Sequence, residues 1–188
     1  MTRWHTRPET PEDRSTVRAI LTAAFPTDQE ARLVDRLRAD PDAWLPGLSL
    51  ITEDERGEAV AHALLTRCHI EDPERPGRPE HSEYGGSGEP GGAALTLAPC
   101  AVLPSRQGTG AGSAAIHAAL DAARARGETL VLVLGHPTYY PRFGFVPASR
   151  YGIRPPFDAP DQAMMALRLD PDAPVPRGVI RYPEAFGV

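Results

Sequence analysis

The chain has 188 residues, 20 of them basic and 25 acidic, and a formal net charge of −5 at neutral pH. That length suits one domain with a core of useful size, a hydrophobic fraction of 41% excludes wholesale disorder, and no apolar run approaches the roughly 18–20 residues of a membrane span. The acidic balance speaks against a nucleic-acid partner, which needs a basic surface.

All 20 basic residues are Arg, and the chain contains neither Lys nor Asn. Together with 21 Pro and 17 Gly this points to a GC-rich coding sequence and a bacterial source. The lack of Lys excludes Schiff-base and P-loop chemistry. The two cysteines, Cys68 and Cys100, form no CxxC motif and no disulfide framework, which fits a reducing compartment. The opening MTRWHTRPET has no apolar signal-peptide segment, so a cytoplasmic location is expected.

In chain order, residues 3–8 read as a short strand. Thr10 opens a helix, with Pro11 at its first position and Asp13 completing a capping box; Val17, Ile20, Leu21 and Ala24 give it one apolar face. A second helix starts near Thr27, with Glu30 in its first turn and Leu33, Val34 and Leu37 on its face, and Pro41 ends it. Leu48–Thr52 and Ala59–Ile70 read as strands joined by the Asp54–Glu58 turn. Residues 71–92 hold 4 Pro, 6 Gly and six acids against two Arg, with no Ile, Leu, Val or Phe. Such a stretch cannot bury itself and is expected to be a flexible acidic loop, whether lid or passive insertion.

Ala93–Leu103 returns to strand character, Gln107–Gly112 (QGTGAG) is a Gly-rich turn, and Ser113–Arg126 is helical with Gly127 as its cap. Thr129–Leu134 is a continuous apolar run, as in a strand buried on both faces. Tyr139–Phe145 (YYPRFGF) is a short helical or turn piece, Phe145 and Val146 start a strand, and Ala163–Leu169 is another. Residues 170–188 form a Pro-rich tail. The order β-α-α-β-β-β-α-β-α-β-β is that of an α/β or α+β fold with mixed strand pairing, in a single domain over 1–188.

The strand–turn–helix at 97–126 carries the sharpest signal. A Gly-rich turn feeding a helix presents backbone N–H groups and the positive end of the helix dipole, which suits a phosphate or diphosphate without any basic side chain. Gly110, Gly112 and Ala115 also spell G-x-G-x-x-A, but the dinucleotide-binding unit needs an acidic residue at the end of the next strand, and TLVLVLGHP has none.

VLPSRQGTGAG resembles the signature Q/R-x-x-G-x-G/A of the GNAT superfamily of acyl-CoA N-acyltransferases, which follows a strand ending in V-x-P; Gln107, Gly110 and Gly112 take the signature positions. YYPRFGF resembles that family's F-Y-x-x-x-G-F segment, with Tyr140, Gly144 and Phe145 in place. The run from PCAVLP to YYPRFGF with the RYPEAF ending resembles a bacterial subgroup of N-acetyltransferases. The resemblance implies a mixed central sheet of six to seven strands, splayed between the fourth and fifth, with about four helices. It implies acetyl-CoA as co-substrate and no metal. The backbone of Cys100, Ala101 and Val102 would pair with the pantetheine arm, and Gln107, Gly108, Thr109, Gly110, Ala111, Gly112 and Ser113 would cradle the diphosphate. Tyr140 would donate to the departing thiolate, since a phenol with a pKa of about 10 stays protonated at neutral pH.

The strand AALTLAPCAV carries no carboxylate to serve as base. His136 stands where relatives often have a small or acidic residue, and an imidazole titrating ordinarily near 6.5 could accept the amine proton. Val133 stands where many members carry Asn. Cys68 and His69, adjacent on a strand, point to opposite faces and make a poor metal pair. The acceptor loops would be Phe25–Glu30 and Pro147–Gln162, the second with Arg150, Arg154, Asp158 and Asp161. The expected partner is a small-molecule or peptide amine, with homodimerisation left open. Two other classes remain: a non-catalytic acyl-CoA-binding sensor of the same fold, and a nucleotide-dependent oxidoreductase.

Overall fold

The computed structural model describes residues 4–72 and 92–188, so all but the ends of the expected 71–92 loop lies outside the described residues. Among the described residues there are three α-helices and nine strands, and the strands make a mixed sheet. The mixed α/β class is the expected one, but the count is not: nine strands replace six or seven, and three α-helices replace about four. The two strands not expected, Ile153–Arg154 and Gly178–Arg181, are only two and four residues long, too short to carry a periodicity. The YYPRFGF segment, read as a short helical or turn piece, forms a 3-10 turn, Tyr140–Phe143, and so adds no α-helix to the count. The chain divides into two compact units, residues 4–66 with 97–127, and residues 67–72 and 92–96 with 128–188.

In the first unit, β1 (His5–Pro8) pairs antiparallel with β2 (Trp44–Glu53), and β2 with β3 (Ala59–Glu71). β4 (Gly92–Val102) follows β3 in the strand order. Thr10 caps the first helix as expected: Asp13 Oδ2 accepts from Thr10 N–H at 2.8 Å and from its hydroxyl at 2.9 Å. The first three residues form a 3-10 turn before α1 (Arg14–Ala24). Arg7 clamps Asp13 with both guanidinium nitrogens and holds its carboxyl well below the usual carboxylate range. α1 buries Val17, Ile20 and Leu21. α2 (Gln29–Arg38) buries Ala31, Val34 and Leu37, so Ala31 takes the place expected for Leu33, which is half-buried.

α3 (Ala111–Ala125) packs on β2 and β1 through Ala115, Ile116, Ala119, Leu120 and Ala123. Inside this unit Ser49, His62 and Glu9 form a buried polar cluster joined by Arg38, whose Nε donates to Glu9 Oε1 at 2.8 Å.

In the second unit, β4 and β5 (Leu130–Leu134) run parallel, with a ladder of two positions, Leu95–Val131 and Thr96–Leu132. β5 pairs antiparallel along its length with β8 (Met164–Arg168), and β8 with β6 (Val146–Pro147). The Pro-rich stretch 170–188 contains β9 (Gly178–Arg181), which pairs with His69–Glu71 of β3 and with β7 (Ile153–Arg154). Ile180 of β9 is fully buried in a core with Cys68, Ile70, Leu130, Leu132, Met164 and Ala166. Burial pushes the Cys68 thiol up to about 12, so it packs as a small hydrophobe.

Candidate active site

The end of β4 is pinned within the first unit. Leu103 N–H donates to the Val60 carbonyl at 2.8 Å, Pro104–Arg106 make a 3-10 turn, and Arg106 Nη2 donates to Asp54 Oδ2 at 2.8 Å. Asp54 also accepts from the N–H groups of Arg56 and Glu58. Desolvation works against the Asp54 charge, but these amides and Arg106 outweigh it and hold the carboxyl below the usual range. The β2–β3 turn thus fixes the start of the Gly-rich segment.

Gly108 and Gly110 have φ of +74° and +97°, a backbone that side chains with a Cβ rarely adopt. The left-handed Gly110 is the N-cap of α3, so the helix starts at Ala111, two residues earlier than expected. The first-turn amides lie ahead of the helix's own ladder, at its positive end. Residues 107–110 are exposed, Gly112 and Ser113 half-buried and Ala111 buried. Gln107 contributes differently from its neighbours. Its amide donates to Pro104 O at 3.4 Å, and its side chain donates to Val102 O at 3.3 Å. Cys100 and Val102 are half-buried and Ala101 is buried. Trp4 also belongs to this corner: a Cβ on Gly110 would stand 3.4 Å from its indole nitrogen. Nothing in the sequence pattern marks Trp4, because the contact spans more than a hundred residues.

In the second unit, β5 ends at Leu134, Gly135 N–H donates to Ala163 O at 2.9 Å, and His136 O accepts from Tyr139 N–H at 3.0 Å and Tyr140 N–H at 3.4 Å. These bonds fold the chain back so that the Tyr140 ring lies against Gly135; a Cβ there would fall 2.2 Å from the ring. Tyr140 also meets Phe145 edge-on, with centroids 5.7 Å apart, and Tyr139 at 5.3 Å. Gly144, at φ +93°, closes the 3-10 turn. Tyr140 is half-buried and His136 exposed. Tyr140 and His136 therefore share one backbone-bonded turn at the end of β5. His117 is exposed on α3. Among the described residues no group of three or more His, Cys, Asp and Glu side chains is placed to hold a metal ion, and no helix is long and apolar enough to cross a membrane.

A left-handed Gly turn opening a helix after β4, with an aromatic turn after β5, is the pattern the two sequence motifs imply. The sequence profile of the Acetyltransferase (GNAT) family matches residues 14–145. The chain belongs to the GNAT acetyltransferase family. It is 38% identical over 152 residues to YjhQ of Escherichia coli strain K12, an uncharacterized N-acetyltransferase, covering 80% of this chain and 74% of that one. The crystal structure of the GNAT family N-acetyltransferase YhbS from Escherichia coli in complex with CoA superposes with a TM-score of 0.80 at 26% identity, covering 100% of this chain and 94% of the other. A GNAT family acetyltransferase from Brucella melitensis in complex with acetyl-CoA gives a TM-score of 0.70 at 28% identity, covering 98% of both.

Proposed function

We propose that this GNAT protein is an acetyl-CoA-dependent N-acetyltransferase that moves the acetyl group to a primary amine by direct attack on the thioester. The observation that carries the reading is the left-handed Gly108–Gly110 turn that opens α3 with its first-turn amides ahead of the helical ladder. Supporting it are the family membership and two similar proteins, at 26% and 28% identity, bound to CoA and acetyl-CoA.

In this reading the backbone from Gln107 to Ser113 cradles the diphosphate through the N–H donors that follow Gln107, whose own amide is bonded to Pro104 O, and through the helix dipole. The backbone of Cys100, Ala101 and Val102 pairs with the pantetheine arm as a neighbouring strand would. Val102 O already accepts from the Gln107 side chain, so an incoming amide takes its second lone pair or displaces that side chain. His136, exposed on its turn, accepts the proton of the acceptor ammonium. The amine nitrogen then bonds to the acetyl carbon, the carbon–sulfur bond breaks, the Tyr140 hydroxyl donates its proton to the departing thiolate, and the resulting phenolate takes the second proton that the nitrogen sheds as the amide forms. The Tyr139, Phe143 and Phe145 rings fix the Tyr140 ring and so limit the reorganisation this transfer requires. Cys68 and Cys100 suit a reducing compartment, and we place the protein in the cytoplasm.

The test has two parts. Calorimetric titration with CoA, acetyl-CoA and NADH is expected to give binding of the first two alone. Thiol release from acetyl-CoA across an amine panel is expected to show turnover that Tyr140→Phe lowers about 10- to 100-fold in kcat. Binding without turnover on any amine would favour an acyl-CoA sensor, and binding of NADH alone would favour an oxidoreductase.

A further inference from the structure

We propose that the amine acceptor is a free α-amino acid with an apolar side chain, held in a cleft of the second unit. The proposal rests on the N-acetyltransferase reading and assigns the acceptor that reading leaves open. The cleft has a volume of about 300 Å³, at the small end of ligand sites. Its floor is apolar and fixed. Ile153 and Met164 are 2% and 3% exposed and belong to the core. Phe157 stacks on Tyr182 with centroids 6.1 Å apart and planes at 21°, and the Tyr182 hydroxyl donates to Met164 Sδ at 3.8 Å.

The rim carries both signs of charge. Arg154, Asp158 and Asp161 line the cleft and are exposed. Elsewhere in the chain Arg38–Glu9, Arg67–Glu128 and Arg106–Asp54 are close ion pairs. Among the described residues, Arg154, Asp158 and Asp161 form no ion pair within 4 Å. One guanidinium and two carboxylates held apart around an apolar floor are complementary to a zwitterion. Arg154 offers a planar pair of donors to a carboxylate, Asp158 and Asp161 face an ammonium, and Ile153, Met164 and Phe157 take the side chain. Arg154 is held from behind by pairing of β7 with β9 (Arg154–Val179).

The cleft adjoins the proposed chemistry through the backbone of the same unit. Met164 stands opposite Leu134 at the end of the β5–β8 ladder, and the next residue pair, Gly135 and Ala163, is joined by a 2.9 Å hydrogen bond. His136 follows directly, so the Asp161 side of the cleft and the proposed proton acceptor lie at one end of the ladder. The products would be an N-acetyl amino acid and CoA.

The test is thiol release from acetyl-CoA with L-leucine, L-leucinamide, isoamylamine and the dipeptide leucylglycine. These compounds share the side chain and differ in whether, and where, they carry a carboxylate. Wild type is expected to use leucine with at least tenfold higher kcat/KM than the amide or the amine. Arg154→Gln is expected to raise KM for leucine about 10- to 100-fold with kcat little changed and to leave leucinamide unaffected, the size of a lost charge-assisted bond. Arg124→Gln on α3, a residue that does not line the cleft, is the control. Equal use of leucine and leucinamide, preference for leucylglycine, or an Arg154→Gln loss shared by all acceptors would overturn the proposal while leaving acetyl transfer standing. Calorimetry with leucine in the absence of acetyl-CoA separates the two failures. Leucine binding that Arg154→Gln abolishes, without thiol release from any amine, would keep the cleft and remove the transferase reading. No leucine binding together with no thiol release would remove both.

Discussion

The Ser49 hydroxyl lies 2.8 Å from His62 Nε2 in the first unit, where His62 has no exposed surface. Ser49 gives its own proton to Glu9 Oε2, so the His62 nitrogen is the donor to Ser49, which leaves Nδ1 as a bare acceptor. That atom is buried without a hydrogen-bond partner. A neutral, Nε2-protonated imidazole is the only form this arrangement satisfies well.

Complete burial holds His62 below its ordinary value of 6.5, against the pull of Glu9. The unfolded chain therefore binds the proton first, and stability falls as the pH drops below about 6.5, by up to about 1.4 kcal/mol per pH unit. Glu9, with its carboxyl held below the usual range by His62, Ser49 and Arg38 despite burial, adds its own loss only near pH 4.5 and below. Urea unfolding of wild type and His62→Gln between pH 7.5 and 5.0 isolates the histidine. The variant is expected to be less stable at pH 7.5 but flatter with pH, and an equal slope in both proteins would exclude His62 as the source.

Gly135→Ala sets a methyl group 2.2 Å from the Tyr140 ring, with 2.7 Å to the next ring carbon. The ring cannot stay, and its displacement is expected to cost about 1–3 kcal/mol of stability. If Tyr140 donates to the thiolate and the Gly108–Gly110 turn holds the diphosphate, kcat is expected to fall by at least as much as in Tyr140→Phe with CoA affinity retained. A Gly135→Ala enzyme with wild-type kcat would argue against that role.

Gly110→Ala places a Cβ at φ +97°, only in ordinary contact with Trp4. The cost is therefore backbone strain of about 1–2 kcal/mol rather than a clash. The variant is expected to fold and to bind CoA about tenfold more weakly. In a Trp44→Phe background, where Trp4 is the remaining tryptophan, CoA is expected to change the intrinsic fluorescence. Unaltered affinity in Gly110→Ala would remove the diphosphate from this turn.

Gly178→Ala combines φ +135° with a Cβ 1.9 Å from the Glu71 carbonyl oxygen. Ile180→Ala empties a fully buried position and is expected to cost about 2–5 kcal/mol. Both should lower the thermal midpoint clearly, Gly178→Ala by breaking β9 away from β3. A midpoint unchanged in either would show β9 to be dispensable.

Where the pattern is local, the sequence revealed the structure well. The Thr10–Asp13 box, the Val17, Ile20, Leu21 face, the apolar run of β5 and the QGTGAG turn each lie within a window of a few residues. The features missed are long-range or short. The Glu9–Ser49–His62–Arg38 cluster joins residues up to 53 apart, and none of them departs from its local pattern. β7 and β9 have two and four residues amid prolines, and become strands only because each gives the other, and β3, a partner. At the candidate site the Gly turn was legible because positive φ leaves a compositional trace. The Arg154–Asp158–Asp161 rim was visible as residues but not as a cleft, since its floor joins Ile153 of β7 to Met164 of β8 and to Phe157, which is set by stacking on Tyr182.

The pairing of β9 with the end of β3 also orders events during synthesis. Arg181 bonds Glu71 across 110 residues, so a chain leaving the ribosome presents the His69–Glu71 edge long before its partner exists. Until then that edge is an unpaired strand of the kind that recruits other chains. That edge is thereby obliged to be closed late, and crowded expression should punish any delay in reaching Gly178–Arg181.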